Sequence, residues 1–320
     1  EDAKIKARNL VVLWNVHNYV LDLAAELHIN PPDIDKTLTE AMNDVPERYI
    51  ISKLHTAIKD VTRAFDTFHL NEVPDIVEQL YLELSRGYIQ LVRDKASSGD
   101  TDEKTVVLHT LSTVLLDTLK LIAPITPFIA EQMYQDLRTA FKLPAESVHL
   151  LDWPKTDQKK IDPALEKNML AAEDVMTAIL HARERAKINT RWPLPIGEIV
   201  TQDVGIVKAT ELLRDIIERQ TNVKEVHAHA HWPLLNVTVK PNPGPIGKAF
   251  GAKSREINGM VGKLGTQIWE AIQKDGKYAL TIGVETVELT KDHLLIERTP
   301  PAHYVEAPFK NGFVYLSTQM

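Results

Sequence analysis

The sequence predicts a bundle of long α-helices followed by a smaller α+β domain, and three observations lead there. In the first half, apolar residues recur at steps of three and four, the spacing of a single helix face. After Leu143-Pro144 the pattern shifts to short runs bounded by Pro, Gly and Asn, several of them rich in β-branched residues. At 320 residues the chain exceeds what one hydrophobic core usually serves, so two domains are expected, 1–156 helical and 157–320 α+β.

The elements follow in order. Leu13, Val16, Val20, Leu23 and Leu27 form the buried stripe of a first helix, stopped by Asn30-Pro31-Pro32. A second opens near Asp44 with Pro46 in its first turn, and Ile51, Leu54, Ile58, Val61, Phe65 and Phe68 make its apolar seam. A third spans about Val73 to Lys95, turning Val73, Val77, Leu80, Leu84, Tyr88 and Leu91 inward. Ser97-Ser98-Gly99-Asp100 is a loop, and a fourth helix from about Thr105 to Ala123 carries Val107, Leu111, Val114, Thr118 and Leu121. Pro124 and Pro127 break it, and Phe128 to Leu137 forms a short fifth. Val148 to Pro154 is extended and closes the bundle.

Asp162-Pro163 then starts a helix with Leu165, Met169, Ala172, Met176 and Ile179 as its stripe. A strand at Ile196–Thr201 and a helix near Val207–Gln220 come next. Strands at Val223–His227 and Leu235–Lys240 precede the turn Asn242-Pro243-Gly244-Pro245 and a glycine-containing helical stretch to Lys274. Tyr278–Ile282, Thr286–Leu289 and Leu294–Arg298 read as strands, the last two joined as a hairpin through Thr290 to His293. The far end falls within an apolar stretch, Phe313 to Leu316, and both ends read as cuts through a longer protein.

Composition narrows the function without choosing it. Hydrophobic residues at 44% and charged residues at 25% are those of a globular protein. No run of about 18 uncharged apolar residues suggests a membrane span, and no signal-peptide core follows Glu1. The absence of cysteine excludes disulfides, thiolate nucleophiles and Cys-based zinc sites, and fits a reducing cytoplasm as it fits other compartments. A net charge of −7 argues against gripping nucleic acid over the whole surface, yet leaves room for a local basic patch.

The densest candidate is the run from Arg183 to Leu194. There Arg183, Arg185, Lys187 and Arg191, with Trp192, occupy a helix C-terminus and the loop after it. The basic groups either complement the helix dipole, with Trp192 as a plug at the domain junction, or meet phosphate while Trp192 or Arg191 stacks near unpaired bases. On the third helix Arg86, Gln90 and Arg93 share one face, with Lys95 beyond, either as a solvated face or as a groove for an RNA backbone. Lys240 through Lys277 holds seven basic residues against three acidic ones, Lys248 and Lys253 among them, with interspersed glycines. It is either an RNA-facing patch or a glycine-softened helical hairpin, and it lacks the pattern of a Walker A loop. His227, His229 and His231 alternate, but no arranged carboxylate or thiolate completes a metal shell, so no metal is expected. No H-E-x-x-H, G-x-S-x-G or G-x-G-x-x-G occurs, so no catalytic residue is assigned.

Several segments together resemble the C-terminal region of class Ia aminoacyl-tRNA synthetases for branched aliphatic amino acids. They are Leu13-Trp14-Asn15-Val16, Glu47 to Leu54, Ser85 to Lys95, Leu121 to Glu131 and Ser147 to Pro154. Lys187-Ile188-Asn189-Thr190-Arg191-Trp192-Pro193-Leu194 is similar to a signature of the archaeal and eukaryotic-cytosolic isoleucyl enzymes. In that type an α+β extension without a Cys zinc site follows, and Pro245-Ile246-Gly247-Lys248 fits a turn within it. Gly87 departs from the bulky residue expected there, loosening that helix by about 1 kcal/mol relative to alanine.

The resemblance implies an anticodon-binding bundle with a C-terminal extension. The parent would be a cytoplasmic ligase joining isoleucine to its tRNA with ATP and Mg²⁺, with editing elsewhere. The partners implied are isoleucine tRNA and the parent's catalytic and editing domains, with no membrane. The His-Ile-Gly-His and Lys-Met-Ser-Lys-Ser signatures are missing, so these residues carry no cofactor. The expected tRNA contacts are Arg86, Arg93, Lys95, Arg183, Lys187, Arg191, Trp192, Lys248 and Lys253. The competing readings are the same region of a valyl or leucyl enzyme, and an interaction or dimerisation module without RNA.

Overall fold

The structure is a computed structural model describing residues 2–34, 37–38, 44–283 and 285–319. Its contacts divide the chain into two compact units, Glu1–Leu170 and Ala171–Met320.

The first unit is helical. α1 (Asp2–Leu27), α2 (Val45–Asp66), α6 (Thr101–Ile122) and α7 (Pro127–Phe141) are its long members. Leu13, Val16, Val20, Leu54, Ile58, Val61, Val107, Leu111, Val114 and Leu121 meet in one core, as their spacing requires. Full burial of each such side chain contributes roughly 1.5–3 kcal/mol, so this seam dominates the unit's stability. Phe68 leaves the predicted seam: α2 ends at Asp66, Phe68 takes a left-handed φ of 59°, and its side chain is exposed.

α6 begins at Thr101, earlier than periodicity suggests, because Asp100 and Glu103 form a capping box. The Glu103 amide donates to Asp100 Oδ1 at 2.8 Å, and the Asp100 amide to Glu103 Oε2 at 3.2 Å. By length and composition alone α6 could cross a membrane, but 67% of its apolar window is buried, as in a core helix.

The third helix is not continuous over 73–95. α3 (Val73–Glu83) widens into a π-helical turn at Leu84–Tyr88, resumes as α4 (Ile89–Leu91), and leaves helical geometry at Val92 before α5 (Arg93–Ser98). Leu84, Tyr88, Leu91 and Val92 all face the core, so the burial of this face continues through the π-helical turn and past it. Gly87 leaves space for the Glu83 carboxylate, which a Cβ there would displace.

The segment after α7 is laced along α2. Trp153 Nε1 donates to Thr62 Oγ1 at 2.9 Å, and its ring meets Phe65 edge-on at 5.5 Å. The Asp162 amide donates to Ser52 Oγ at 2.8 Å, and Thr56 donates to Glu166 at 2.9 Å. Asp162 caps α8 (Pro163–Ala186) by accepting from the Leu165 amide at 2.9 Å.

Among its described residues the second unit holds three sheets. Its four-stranded sheet has the order β2-β1-β8-β7, from β1 (Leu194–Thr201), β2 (Val223–His229), β7 (Tyr304–Phe309) and β8 (Gly312–Ser317). β1 and β2 run parallel, joined by α9 (Val204–Leu212) and α10 (Arg214–Thr221), and β8 pairs antiparallel to β1 and to β7. The apolar stretch at Phe313 to Leu316 is thus an inner strand. β3 (Asn236–Pro241) pairs with β6 (Leu294–Thr299), and β4 (Tyr278–Ile282) with β5 (Glu285–Leu289). The predicted hairpin between the strands flanking Thr290 to His293 is therefore corrected. Those residues form a capped turn, but each flanking strand pairs elsewhere.

α11 (Pro243–Phe250) and α12 (Ser254–Asp275) cover this second core, where Ile257, Val261, Ile268 and Ile272 pack with Val239, Leu280, Leu289 and Leu294. Gly265 brings α12 against β3, because a Cβ there would lie 2.7 Å from the Val239 carbonyl oxygen.

Candidate nucleic-acid interface

α8 ends in a Schellman motif. The Ile188 amide donates to Arg183 O at 3.0 Å and the Lys187 amide to Glu184 O at 2.9 Å. Lys187 therefore occupies the position where glycine is usual, at φ 58°, with its side chain exposed. A tight turn follows. The Arg191 amide donates to Asn189 Oδ1 at 3.0 Å and the Trp192 amide to Asn189 O at 3.1 Å. Asn222 fastens this turn to the start of β2, donating from Nδ2 to Thr190 O at 2.8 Å and accepting from the Leu194 amide at 3.1 Å. The backbone is thereby fixed, while the side chains of Lys187, Arg191 and Trp192 stay in solvent. Trp192 is 57% exposed.

Arg183 does not join them. It is 1% exposed, and its guanidinium donates to Thr221 O at 2.8 Å, Asn222 O at 2.5 Å, Trp192 O at 3.0 Å and Asn189 O at 3.3 Å. All these bonds end on backbone carbonyls, so the fork ties the turn to the α10–β2 junction and has no face for a phosphate. The expectation that Arg183 contacts RNA is replaced by a structural role, and burial lowers its pKa from the ordinary guanidinium value.

In the helical unit Arg86 and Arg93 are exposed, Arg86 on the π-helical turn and Arg93 at the start of α5. Lys95 is already engaged. It donates to Asp44 Oδ2 at 2.7 Å and to Glu47 Oε1 at 3.4 Å, and its side chain is only 15% exposed. Glu47 is buried in the first turn of α2, where Tyr88 also donates to it at 3.5 Å. Burial raises the Glu47 pKa above the ordinary carboxylate value, and Lys95 opposes that rise. Burial and the nearby Glu47 carboxylate push the Tyr88 phenol well up. This buried knot joins two of the segments that carried the family resemblance, and it corrects the place of Lys95 as a phosphate contact.

Lys248 is exposed on α11, and Lys253 forms an ion pair with Glu285. A surface pair of that kind is worth at most ~1 kcal/mol, so Lys253 remains available to a stronger anionic partner. The side chain of Lys274, counted in the basic stretch, lies outside the described residues. His227 and His229 lie on β2, while His231 lies beyond its end. His229 Nε2 lies 2.7 Å from Glu198 Oε2, and His227 3.4 Å from Glu225. Among the described residues no group of three metal-ligating side chains comes together.

Sequence reasoning passed over one feature of this unit. Trp232, Leu235 and Trp269 line a cavity of about 440 Å³ together with Gln202, Glu270 and Arg298. These residues come from four separate stretches of chain, so only the fold assembles them. A signal was present in Trp269, an aromatic residue partly outside the buried stripe of α12.

Against this geometry, the comparisons with known proteins are specific. The family described as anticodon-binding domain of tRNA ligase matches residues 47–198. The isoleucine–tRNA ligase of Methanopyrus kandleri is 31% identical over 322 aligned residues, covering 100% of this chain and 29% of that protein. That of Pyrococcus abyssi is 33% identical over 97% of this chain and 28% of its own length. That of Methanocella arvoryzae is 31% identical over 98% and 29%. The chain thus spans under a third of the length of these relatives. Residues 47–198 belong to the anticodon-binding domain family of tRNA ligases, within a chain that corresponds from end to end to a part of archaeal isoleucine–tRNA ligases.

Proposed function

We propose that this chain is the tRNA-binding part of a cytoplasmic isoleucine–tRNA ligase, whose other domains use ATP and Mg²⁺ to join isoleucine to its tRNA. The similarity to isoleucine–tRNA ligases along the whole chain carries this reading. The geometry supports it with a fixed turn that holds a guanidinium, an ammonium and an indole in solvent. Residues 1–156 hold the anticodon stem through Arg86 and Arg93, and 157–320 reach the loop through Lys187, Arg191, Trp192, Lys248 and Lys253. Phosphate contacts fix register, while stacking and base-edge bonds supply identity. No chemical step is assigned to these residues.

The test separates charge from stacking. Arg191→Ala should weaken all tRNAs alike and reduce the slope of log affinity against log salt by about one. Trp192→Ala should lower affinity by ~1–3 kcal/mol and leave that slope unchanged. Equilibrium binding over a salt series reads both, and an Arg191→Ala protein that binds as the wild type does would remove Arg191 from the interface.

A further inference from the structure

The cleft between the four-stranded sheet and α12 has the chemistry of a nucleobase site. At about 440 Å³ it lies within the usual range of small-ligand pockets. Its apolar surface is aromatic and aliphatic: Trp232 is almost fully buried, Trp269 is half-buried, and Leu235 lies between the sheet and β3. Trp232 is itself braced by the rings of Tyr304 at 5.1 Å and Tyr315 at 5.2 Å, so this wall is stiff.

The polar groups are few and mixed. Gln202 donates from Nε2 to Ala230 O at 2.7 Å, which leaves its carboxamide oxygen to accept. Glu270 supplies an accepting carboxylate, and Arg298 supplies N–H donors while its guanidinium carbon sits 4.1 Å from the Phe313 ring centroid. Among the described residues, the ionisable lining besides the imidazole of His231 is this one carboxylate and this one guanidinium. A phosphate needs an excess of cations, and a purely apolar group needs none of these dipoles. A flat, uncharged heterocycle with donors and acceptors on its edge satisfies both the rings and the polar rim.

The approach to the cleft is also open. Gly259 and Gly262 lie on the exposed side of α12 with no atom near the place of a Cβ, and Thr266 of the cleft follows on the same helix. A sugar–phosphate strand can approach this bare helix more closely than it could a face of larger side chains, with Arg255 and Lys263 exposed beside it.

We infer that this cleft receives one unstacked base of the tRNA anticodon loop, held against Trp269 and read at its edge by Glu270, Arg298 and Gln202. The inference rests on the tRNA-binding reading. Its test uses the 320-residue chain and anticodon stem-loop RNAs carrying 2-aminopurine at successive loop positions. With the wild-type chain, fluorescence should change at one position, and Trp269→Ala should abolish that change. Trp269→Ala should also weaken binding roughly tenfold without altering the salt slope, as loss of a stacking contact does, whereas Trp269→Phe should retain most of the affinity.

Glu270→Ala removes an exposed side chain and leaves the core intact, so it should weaken binding even if Trp269→Ala proves too unstable to study. Wild-type binding with no fluorescence change at any loop position, or Trp269→Ala and Glu270→Ala proteins that bind as the wild type does, would overturn the cleft while tRNA binding stands. A wild-type chain that binds no RNA would overturn both.

Discussion

Arg183→Met should destabilise the second unit by about 3–5 kcal/mol, because each buried polar group left without its partner costs ~1–3 kcal/mol. Four backbone carbonyls, of Asn189, Trp192, Thr221 and Asn222, converge on this guanidinium. Methionine fills the space and supplies no donor. Lysine brings a single ammonium to a site built for a planar fork, so Arg183→Lys should recover only part of the loss. Urea unfolding measures both. If Arg183 were instead a phosphate contact, Arg183→Met would leave stability unchanged and reduce the salt slope of RNA binding.

Lys95→Met should cost about 3 kcal/mol, the low end of what breaking a buried ion pair costs, because it strands Glu47 in the core. The loss should depend on pH in a defined direction. Burial already raises the Glu47 pKa, and removing the opposing charge of Lys95 lets it rise further. A carboxyl with a folded pKa above its unfolded value is favoured in its protonated form. The variant's deficit is therefore smallest below the ordinary carboxylate pKa and grows as pH rises through the folded value. Unfolding at about pH 4 and about pH 7 should show the wider gap at the higher pH. Replacing both residues, as Glu47→Gln with Lys95→Met, should recover much of the loss, since no unpaired charge then remains.

The seams of α1, α2 and α6 were legible because helix periodicity is local, and so were helix starts marked by Asp44-Val45-Pro46 and Asp162-Pro163. The break in the third helix was not, because a π-helical turn is a one-residue phase shift that leaves the apolar spacing nearly intact. Strand positions were largely legible, but pairing was not. β6 joins β3 across the whole of α12, a choice made by the core and not by the turn at Thr290 to His293. The β7–β8 hairpin turns through Lys310-Asn311, with Phe309 paired to Gly312, and Asn311-Gly312 between two apolar runs was a usable signal for a turn there.

Among the candidate contacts, Arg183 and Arg191 look alike in the sequence, and only tertiary structure separates them. The carbonyls that hold Arg183 come partly from Thr221 and Asn222, more than thirty positions away. Lys95 is likewise paired to residues of another helix. The cleft around Trp269 depends on contributions from β1, β6, α12 and the loop after β2.

The central claim is that these residues bind isoleucine tRNA and distinguish it by its anticodon. The most direct measurement is equilibrium binding of isoleucine and valine tRNA transcripts to this chain over a salt series, with the anticodons exchanged. Salt-dependent binding that favours isoleucine tRNA, and whose preference follows the anticodon, is the predicted result. Equal binding of both transcripts regardless of anticodon, or no binding even at low salt, would contradict it.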